Sequence, residues 1–574
     1  MHLSRLKIRE FRNLRDFEIT FTPSTTDAGG IAHEFKSHAV IGQNGSGKSN
    51  MIEAIVTIFR DLDLNQPTAF EYELDYWCRG HLIRVNSAAG RVNVTDSDLA
   101  ITLGAAPVEA GPPHEEDRPI GQGNDFKLSY LARHAKRYLP SHVFAYYSGR
   151  SERIEAIFQQ HQQRFYKALL DGNDELLRRL FYCRNVHSQF VLLAYLLKED
   201  DECRRILEDL GIEGLESVLF VLKQPYWYKT DLAEEILTDG DNRFWYARGI
   251  VQTFLDVLWK ESIAPIDHSE SRILDFRGRK ETQDLLYLYV PDKAALGRVA
   301  EEIGEPARFF KYLESTYISD LIDEVRINVK HRDIDGNLNF TQLSEGEQQL
   351  LTVLGLMRFT HEDESLFLLD EPDTHLNPIW KLRYFDEIDK VVKLQNDSVA
   401  GSSQLIITTH DPLMIGSLRK EQVRILRCED GRTAVDAPDQ HPQGMGVAGL
   451  LKSELFGLPS TLDSHTLKLL QERNELLALK AKGKLSPQQE LRLKSLRDGL
   501  DDLGFSREYR DPLYQLFIEQ MYAVRSQPLD RLLTAKEKKD QQALAEKIVT
   551  KIVKTEKTEE LSALARELKI SASK

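Results

Sequence analysis

The chain has 574 residues and a mass of 65.9 kDa, with 41% hydrophobic and 29% charged residues, a size and composition that fit a globular protein of roughly two to four domains. Its formal net charge of −15 argues against a protein that coats nucleic acid by bulk charge and leaves room only for a local basic groove. The charged N-terminus "MHLSRLKIREFRNLRDF" has no apolar signal core, and no apolar run reaches membrane-spanning length, which points to a cytoplasmic protein without a membrane partner.

In chain order, "LSRLKI" and "DFEITF" alternate as two short strands around "REFRNLR". A loop containing "DAGG" leads to the strand "SHAVI", which feeds a glycine-rich turn. The following "SNMIEAIVTIFRDL" places Ile52, Ile55, Ile58 and Phe59 at helical spacing. "FEYELDYWCRGHLIRVNSAAGRVNVT" reads as an antiparallel meander with glycine turns, and the acidic, Pro/Gly-rich "LGAAPVEAGPPHEEDRPIGQGND" as a surface loop. Residues 151–325 read as mainly helical, without sustained heptads. The apolar runs "SLFLLDE" and "QLIITTH" suit central strands of a parallel sheet covered on both faces. From about Gly444 the pattern is helical. There "TLDSHTLKLLQERNELLALKAKGKLSPQQELRLKSLRDGLDDLG" forms a hairpin broken at Gly483 and restarted by Ser486, Pro487 and Gln489, and the Lys/Glu-rich tail from Thr534 reads as a solvated helix. Cys78, Cys183, Cys203 and Cys428 lie far apart, with no C-x-x-C and no nearby histidine pair, so free thiols are favoured over a zinc site or a disulfide framework.

Gly42-Gln43-Asn44-Gly45-Ser46-Gly47-Lys48-Ser49, followed by Asn50, fits G-x-x-x-x-G-K-[ST] between an apolar strand and an amphipathic helix. The glycines let backbone N–H groups point inward around a phosphate, and the helix N-terminus adds its dipole. Lys48 then reaches the β- and γ-phosphates of ATP, and the Ser49 hydroxyl ligates Mg²⁺. "SLFLLDEP" sets Asp370 and Glu371 at a strand tip, Asp370 for the metal through water and Glu371 to orient or deprotonate the attacking water. In "LSEGEQQLL", Ser344 and Gly346 open a helix as a second anion-binding turn. The same residues also read as a plain capping box between Ser344 and Glu347.

Lying about twenty residues before the acidic strand, "LSEGE" resembles the LSGGQ signature of ATP-binding-cassette (ABC) ATPases, with Glu345 and Glu347 in place of the usual Gly and Gln. His410 of "QLIITTHDP" resembles that family's switch histidine, and "EPDTHLNP" its D-loop, in which Asp373 is the communicating residue. The opening "LSRLKIREFRNLRDFEITF" resembles the RecF, SMC and OLD-type branch, where an Arg-Asn turn, here Arg12 and Asn13, lies near the nucleotide. "VFAYYSGRSERIEAIFQQ" leaves a strand where the resemblance implies a glutamine-bearing loop, and no glutamine stands at its strand end.

The missing heptads exclude long-armed SMC members, leaving a short-insertion, RecF-like or AAA-15 ATPase. After His410 the only candidate TOPRIM glutamate is in "VRILRCEDGRTAV", no Asp-x-Asp follows, and no HNH-like pattern occurs, so the chain is expected not to be a nuclease itself. Among two-component systems it is most similar to the PtuA ATPases of Septu anti-phage defence, including retron-linked versions, whose partner is an HNH nuclease.

The resemblance implies an α/β ABC-type ATPase head, a mixed-sheet lobe plus a helical lobe, with a helical insertion and a helical C-terminal region. The expected division is 1–150 for the first lobe, 151–325 for the insertion, 326–443 for the second lobe and 444–574 for partner docking. It further implies two ATP·Mg²⁺ at the interface of a head-to-tail homodimer, alone or within a larger assembly. Ser344, Glu345, Gly346 and Glu347 of one copy then face the Gly42–Ser49 loop of the other, and DNA or a retron RNA/DNA is a further partner. The competing reading is a RecF-like repair clamp acting on DNA without a dedicated nuclease.

Overall fold

A computed structural model describes residues 1–26, 32–96, 124–149, 151–172, 178–198, 200–229, 234–273, 275–333, 337–359, 364–394, 403–429, 431–458, 460–481, 483–503 and 542–550. The "DAGG" loop, most of the acidic Pro/Gly-rich loop and most of the Lys/Glu-rich tail lie outside the described residues. The chain divides into two units, Met1–Met445 and Gly446–Lys574.

The strands of the first unit begin with β1 (His2–Phe11), β2 (Leu14–Thr20), β3 (Ser24–Thr26), β4 (Ala32–Glu34), β5 (Ser37–Gly42), β6 (Tyr72–Cys78), β7 (His81–Asn86) and β8 (Arg91–Asp96). They continue with β9 (Asp125–Lys127), β10 (Val143–Tyr147), β11 (Leu180–Tyr182), β12 (Ile212–Lys223), β13 (Ile263–Ile273), β14 (Lys280–Val290), β15 (Ile322–His331) and β16 (Asn337–Asn339). The last are β17 (Leu366–Asp370), β18 (Gln404–Thr409), β19 (Val423–Glu429) and β20 (Arg432–Asp436).

The seven-stranded sheet runs β11-β10-β17-β18-β5-β19-β20, parallel throughout except for the antiparallel edge strand β20. Every residue of β17 and β18 is buried, as expected for continuous apolar strands covered on both faces. The helix Lys48–Leu64 follows β5 and buries Ile52, Ile55, Ile58 and Phe59, the four apolar positions at helical spacing, before Asn65 closes it in a left-handed conformation. A six-stranded antiparallel sheet, β2-β1-β6-β7-β8-β9, shares a core with this helix through Leu6, Ile8, Phe17, Leu74 and Tyr76. It contains the expected meander, whose β6–β7 turn uses Arg79 (φ 47°) and Gly80 (φ 78°), the pair of positive φ values that matches strand twist.

Residues 151–325 depart from the mainly helical expectation. Besides helices such as Glu155–Leu170, Val186–Leu197 and Gly249–Glu261, they supply β12, β13, β14 and part of β15 to a five-stranded antiparallel sheet ordered β13-β14-β12-β15-β16. Ile212, Leu215, Leu219 and Leu222 of β12 stand at helix-like spacing, yet β12 pairs with β15 through register shifts at Ile212/Gly214, Leu215/Ser217 and Val221/Leu222. The first two insert Glu213 and Glu216 into β12 and the third inserts Asp323 into β15, so strict alternation along β12 breaks and the strand imitates a helical pattern.

β16 leads into the helix Glu345–Phe359, which carries the "LSEGE" turn at its start. Gly355 lets this helix lie directly on Val191 of the helix Val186–Leu197, since a Cβ at Gly355 would overlap the Val191 side chain. In the second unit, helices Ser464–Ala481 and Pro487–Asp502 form the expected hairpin around Leu476, Leu477, Leu493 and Leu496. Gly483 has φ 67°, and Ser486 and Gln489 form the capping box: the Ser486 N–H donates to Gln489 Oε1 (3.0 Å) and the Gln489 N–H to Ser486 Oγ (3.3 Å). Among the described residues no helix is long and apolar enough to cross a membrane. Cys78, Cys183 and Cys203 are buried free thiols and Cys428 is exposed.

Gly355→Ala is expected to lower stability by about 1–3 kcal/mol, because the buried, stiff Val191 cannot move aside. Adding Val191→Ala should recover part of the loss, and thermal melts of the single and double variants check both.

Candidate nucleotide-binding site

β5, β17 and β18 end at Gly42, Asp370 and Thr409, so the motifs they carry meet at the carboxyl edge of neighbouring parallel strands, the usual ligand position in an open α/β sheet. The Gly42–Ser49 turn needs its glycines. Gly45 and Gly47 have φ 83° and 100°, and a Cβ on Gly42 would come within 2.5 Å of the Leu426 carbonyl oxygen. Gln43, Asn44 and Gly45 form the exposed crown, and the Ser46 hydroxyl is buried without a hydrogen-bond partner. The Ser46 carbonyl accepts from Thr433 Oγ1 of β20 (3.1 Å), which backs the loop from behind.

The Lys48 ammonium is buried and donates to the loop's own carbonyls, Gly42 O at 2.9 Å and Gln43 O at 3.4 Å. Burial lowers its pKa, against the pull of the Glu371, Asp370 and Asp373 carboxylates. Asp370 is fully buried. Burial raises its pKa, while hydrogen bonds from Thr408 and Ser49 act the other way. The Thr408 hydroxyl donates to Asp370 Oδ1, and Oδ2 is buried without a hydrogen-bond partner. A hydroxyl beside a carboxylate with an unused oxygen is the donor set a hard divalent cation takes, so Ser49 and Asp370 fit Mg²⁺.

Immediately after Asp370 the chain turns through the left-handed region at Glu371 (φ 51°), with the Glu371 N–H donating to Thr408 O (3.0 Å). Its Oε1 lies 3.2 Å from His410 Nδ1 and 4.0 Å from Lys48 Nζ. A solvent-accessible carboxylate between an imidazole and an ammonium, next to a metal-type site, can accept a proton from water.

The Arg12-Asn13 turn joins β1 to β2 at the crown of the loop. Asn13 Nδ2 donates to Gly45 O (3.0 Å), and Asn50 Nδ2 donates to Asn13 Oδ1 (2.6 Å). Arg12, in the left-handed region (φ 55°), pairs with Glu53. The segment after β10, where no glutamine stands, brings Ser148 Oγ to Thr374 Oγ1 (2.8 Å) and Arg153 to Glu53 (3.1 Å) and Asn50 (3.2 Å).

Two placements refine the expectations. Asp373 is 1% exposed, with its Oδ1 accepting from Thr409 Oγ1 (3.1 Å) and Lys381 3.9 Å away, so it braces its own chain and does not face outward. The turn's exposed residues are Thr374 and His375. Ser344 is exposed but self-engaged: its N–H (2.8 Å) and Oγ (2.7 Å) both donate to Glu347 Oε2, the capping-box alternative. Glu345 Oε2 lies 3.1 Å from His375 Nδ1, and a Cβ on Gly346 would overlap the His375 carbonyl oxygen, so signature turn and D-loop touch within one chain. Sequence reasoning missed Thr408, Thr409, Thr433 and Arg153. The two threonines directly before His410 were the one available signal.

A family model described as "AAA domain, putative AbiEii toxin, Type IV TA system" matches residues 265–416, the stretch with the signature turn, Asp370, Glu371 and His410. The chain is 30% identical over 165 residues to the Septu protein PtuA of Bacillus mycoides, covering 26% of this chain and 22% of that one. It is 29% identical over 180 residues to the Retron Vc95 probable ATPase of Vibrio cholerae, covering 28% and 33%. The DNA replication and repair protein RecF of Halalkalibacterium halodurans is 34% identical over 77 residues, covering 13% and 17%. The SMC head domain from Thermotoga maritima aligns at 14% identity over 76% of this chain and 99% of that one with a TM-score of 0.27, too low to bear on the fold, which rests on strand order and motif placement. The alignments span at most a third of the curated relatives' lengths. Motif order, the sheet edge that gathers the motifs and these sequence relatives support a RecF/SMC-like ABC-type ATPase, related to PtuA at modest identity.

Proposed function

We propose that this protein binds and slowly hydrolyses ATP, that two copies close head to tail around it, and that the state of the pair governs a separate HNH-type nuclease in a prokaryotic anti-phage defence complex. The observation that carries the chemistry is the Glu371 carboxylate, held by a left-handed backbone between His410 (3.2 Å) and Lys48 (4.0 Å) beside the buried Asp370.

Lys48 exchanges its bonds to Gly42 O and Gln43 O for the β- and γ-phosphates, and the backbone N–H groups of Gly45–Ser49 close around them. Ser49 and Asp370 are the residues that would hold Mg²⁺, which when bound offsets the phosphates' negative charge. Glu371 takes the proton of the attacking water, and His410 fixes the orientation of that carboxylate. Asn13 and Asn50 hold the crown from the other side.

Self-association is supported by what surrounds the D-loop. Thr374 and His375 are exposed, and Ile379 and Leu382 stand 62% and 51% exposed on the first turns of the helix Pro378–Leu394. An apolar pair beside exposed polar motif residues suits an interface with a second copy. There the exposed Ser344 hydroxyl and helix N-terminus meet the γ-phosphate once Glu347 releases them. The defence assignment is supported by the Septu and retron names of two relatives. The RecF relative supports the second reading, and ATP-dependent duplex binding by the purified chain alone would favour it.

Glu371→Gln is expected to keep ATP bound and to cut turnover by about a hundredfold or more, read by phosphate release against nucleotide retention; turnover at the parent rate refutes the base assignment. For Asp370→Asn the sign follows from burial. The folded-state pKa is raised, so the carboxyl favours folding only while protonated, and that advantage is lost as pH rises through the folded pKa. The neutral amide should therefore raise the nucleotide-free melting temperature at pH 7 while abolishing stabilisation by Mg²⁺ plus ATP.

A further inference from the structure

Glu53 lies four residues beyond Ser49 on the helix Lys48–Leu64, with its side chain 7% exposed, and two arginines from different parts of the chain converge on it. Arg12 comes from the β1–β2 turn and is 41% exposed. Arg153 comes from the segment after β10 and is 32% exposed. A buried carboxylate stripped of its only cation is strongly disfavoured, whereas one with two partners can release either.

The two partners are not equivalent. Arg153 is fixed at two points, with Nε 3.1 Å from Glu53 Oε2 and the guanidinium donating to Asn50 Oδ1 (3.2 Å). Its approach to Glu53 is ionic without hydrogen-bond alignment, so it has room to tighten. Arg12 donates to Glu53 Oε1, and its neighbour Asn13 already holds the Gly45 carbonyl at the loop crown. Arg12 thus stands next to the phosphate loop and is the more exposed of the pair. Burial also raises the Glu53 pKa, against the pull of Arg12 and Arg153, so its ionised form depends on these cations.

We infer that Arg153 is a positioning residue of the nucleotide site: it anchors Glu53 so that Arg12 can leave that carboxylate and turn to the phosphates of a bound nucleoside triphosphate. The inference rests on the ATP site proposed above. Arg153 never touches the nucleotide. Without it, Glu53 holds Arg12 in place, and the site loses a cation it still encodes.

The full-length chain is titrated with a fluorescent ATP analogue (mant-ATP) in Mg²⁺, with thermal melts as a control for folding. Arg153→Ala should weaken binding about tenfold, as Arg12→Ala does, and the double variant should be no weaker than either single one. Glu53→Gln needs no counter-ion, so adding it to Arg153→Ala should restore affinity to within about threefold of the parent. A purely structural Arg153 would show no such rescue. Unchanged binding by Arg153→Ala, additive losses, or failure of Glu53→Gln to restore binding overturns the inference alone. A parent chain that does not bind the analogue overturns the ATP site and this inference together.

Discussion

The carboxylate of Asp370 is fully buried at the end of a central strand, one oxygen bonded by Thr408 and the other without a partner, and the site is arranged around the cost of keeping it there. The β17–β18 register sets Asp370 beside Thr408. Because neighbouring residues on a strand point to opposite faces, Thr408 then serves Asp370 and Thr409 serves Asp373. Ser49 and Lys48 approach the same carboxylate from the helix that follows β5. Such a group is poorly solvated where it is buried and is best served by a bound cation.

The geometry around Glu371 depends on that arrangement. The Glu371 N–H makes the last bond of the β17–β18 ladder to the Thr408 carbonyl, and the chain departs there through a left-handed residue. That departure aims Glu371 at His410 and Lys48 while leaving Asp370 behind in the core. Two adjacent carboxylates thereby receive different surroundings, the buried one suited to a metal and the accessible one to a proton.

Most of the parallel sheet and its motifs could be read from the sequence, because "LFLL" and "LII" are unbroken apolar runs at the centre of their strands and the glycine loop sits between unmistakable strand and helix patterns. The sheet formed by β12 to β16 could not. β12 mimics helical spacing through its bulges, and β13 is exposed along nearly its whole length, so neither shows the alternation that marks a half-buried strand. Arg153 was hidden for another reason: its role comes from two contacts with residues about a hundred positions earlier, and no local pattern encodes that meeting. Asp373 was read by resemblance as the communicating residue of the D-loop, and the buried bond it accepts from Thr409, one strand away, has no local sequence signal.

The crowding of Gly346 against the His375 carbonyl changes what a substitution there can teach. A signature glycine is ordinarily valued for letting a phosphate come close to the backbone. Here the space beyond its Cα is already filled by the same chain's D-loop. Any side chain would press on that loop before a nucleotide or a second copy arrived, so inactivity of a Gly346 variant would not by itself reveal a lost phosphate contact. The residue's freedom to vary is limited from within the chain, and genetic tests of the signature turn are cleaner at Ser344, where removing the exposed hydroxyl breaks the cap with Glu347 but presses on no part of the D-loop.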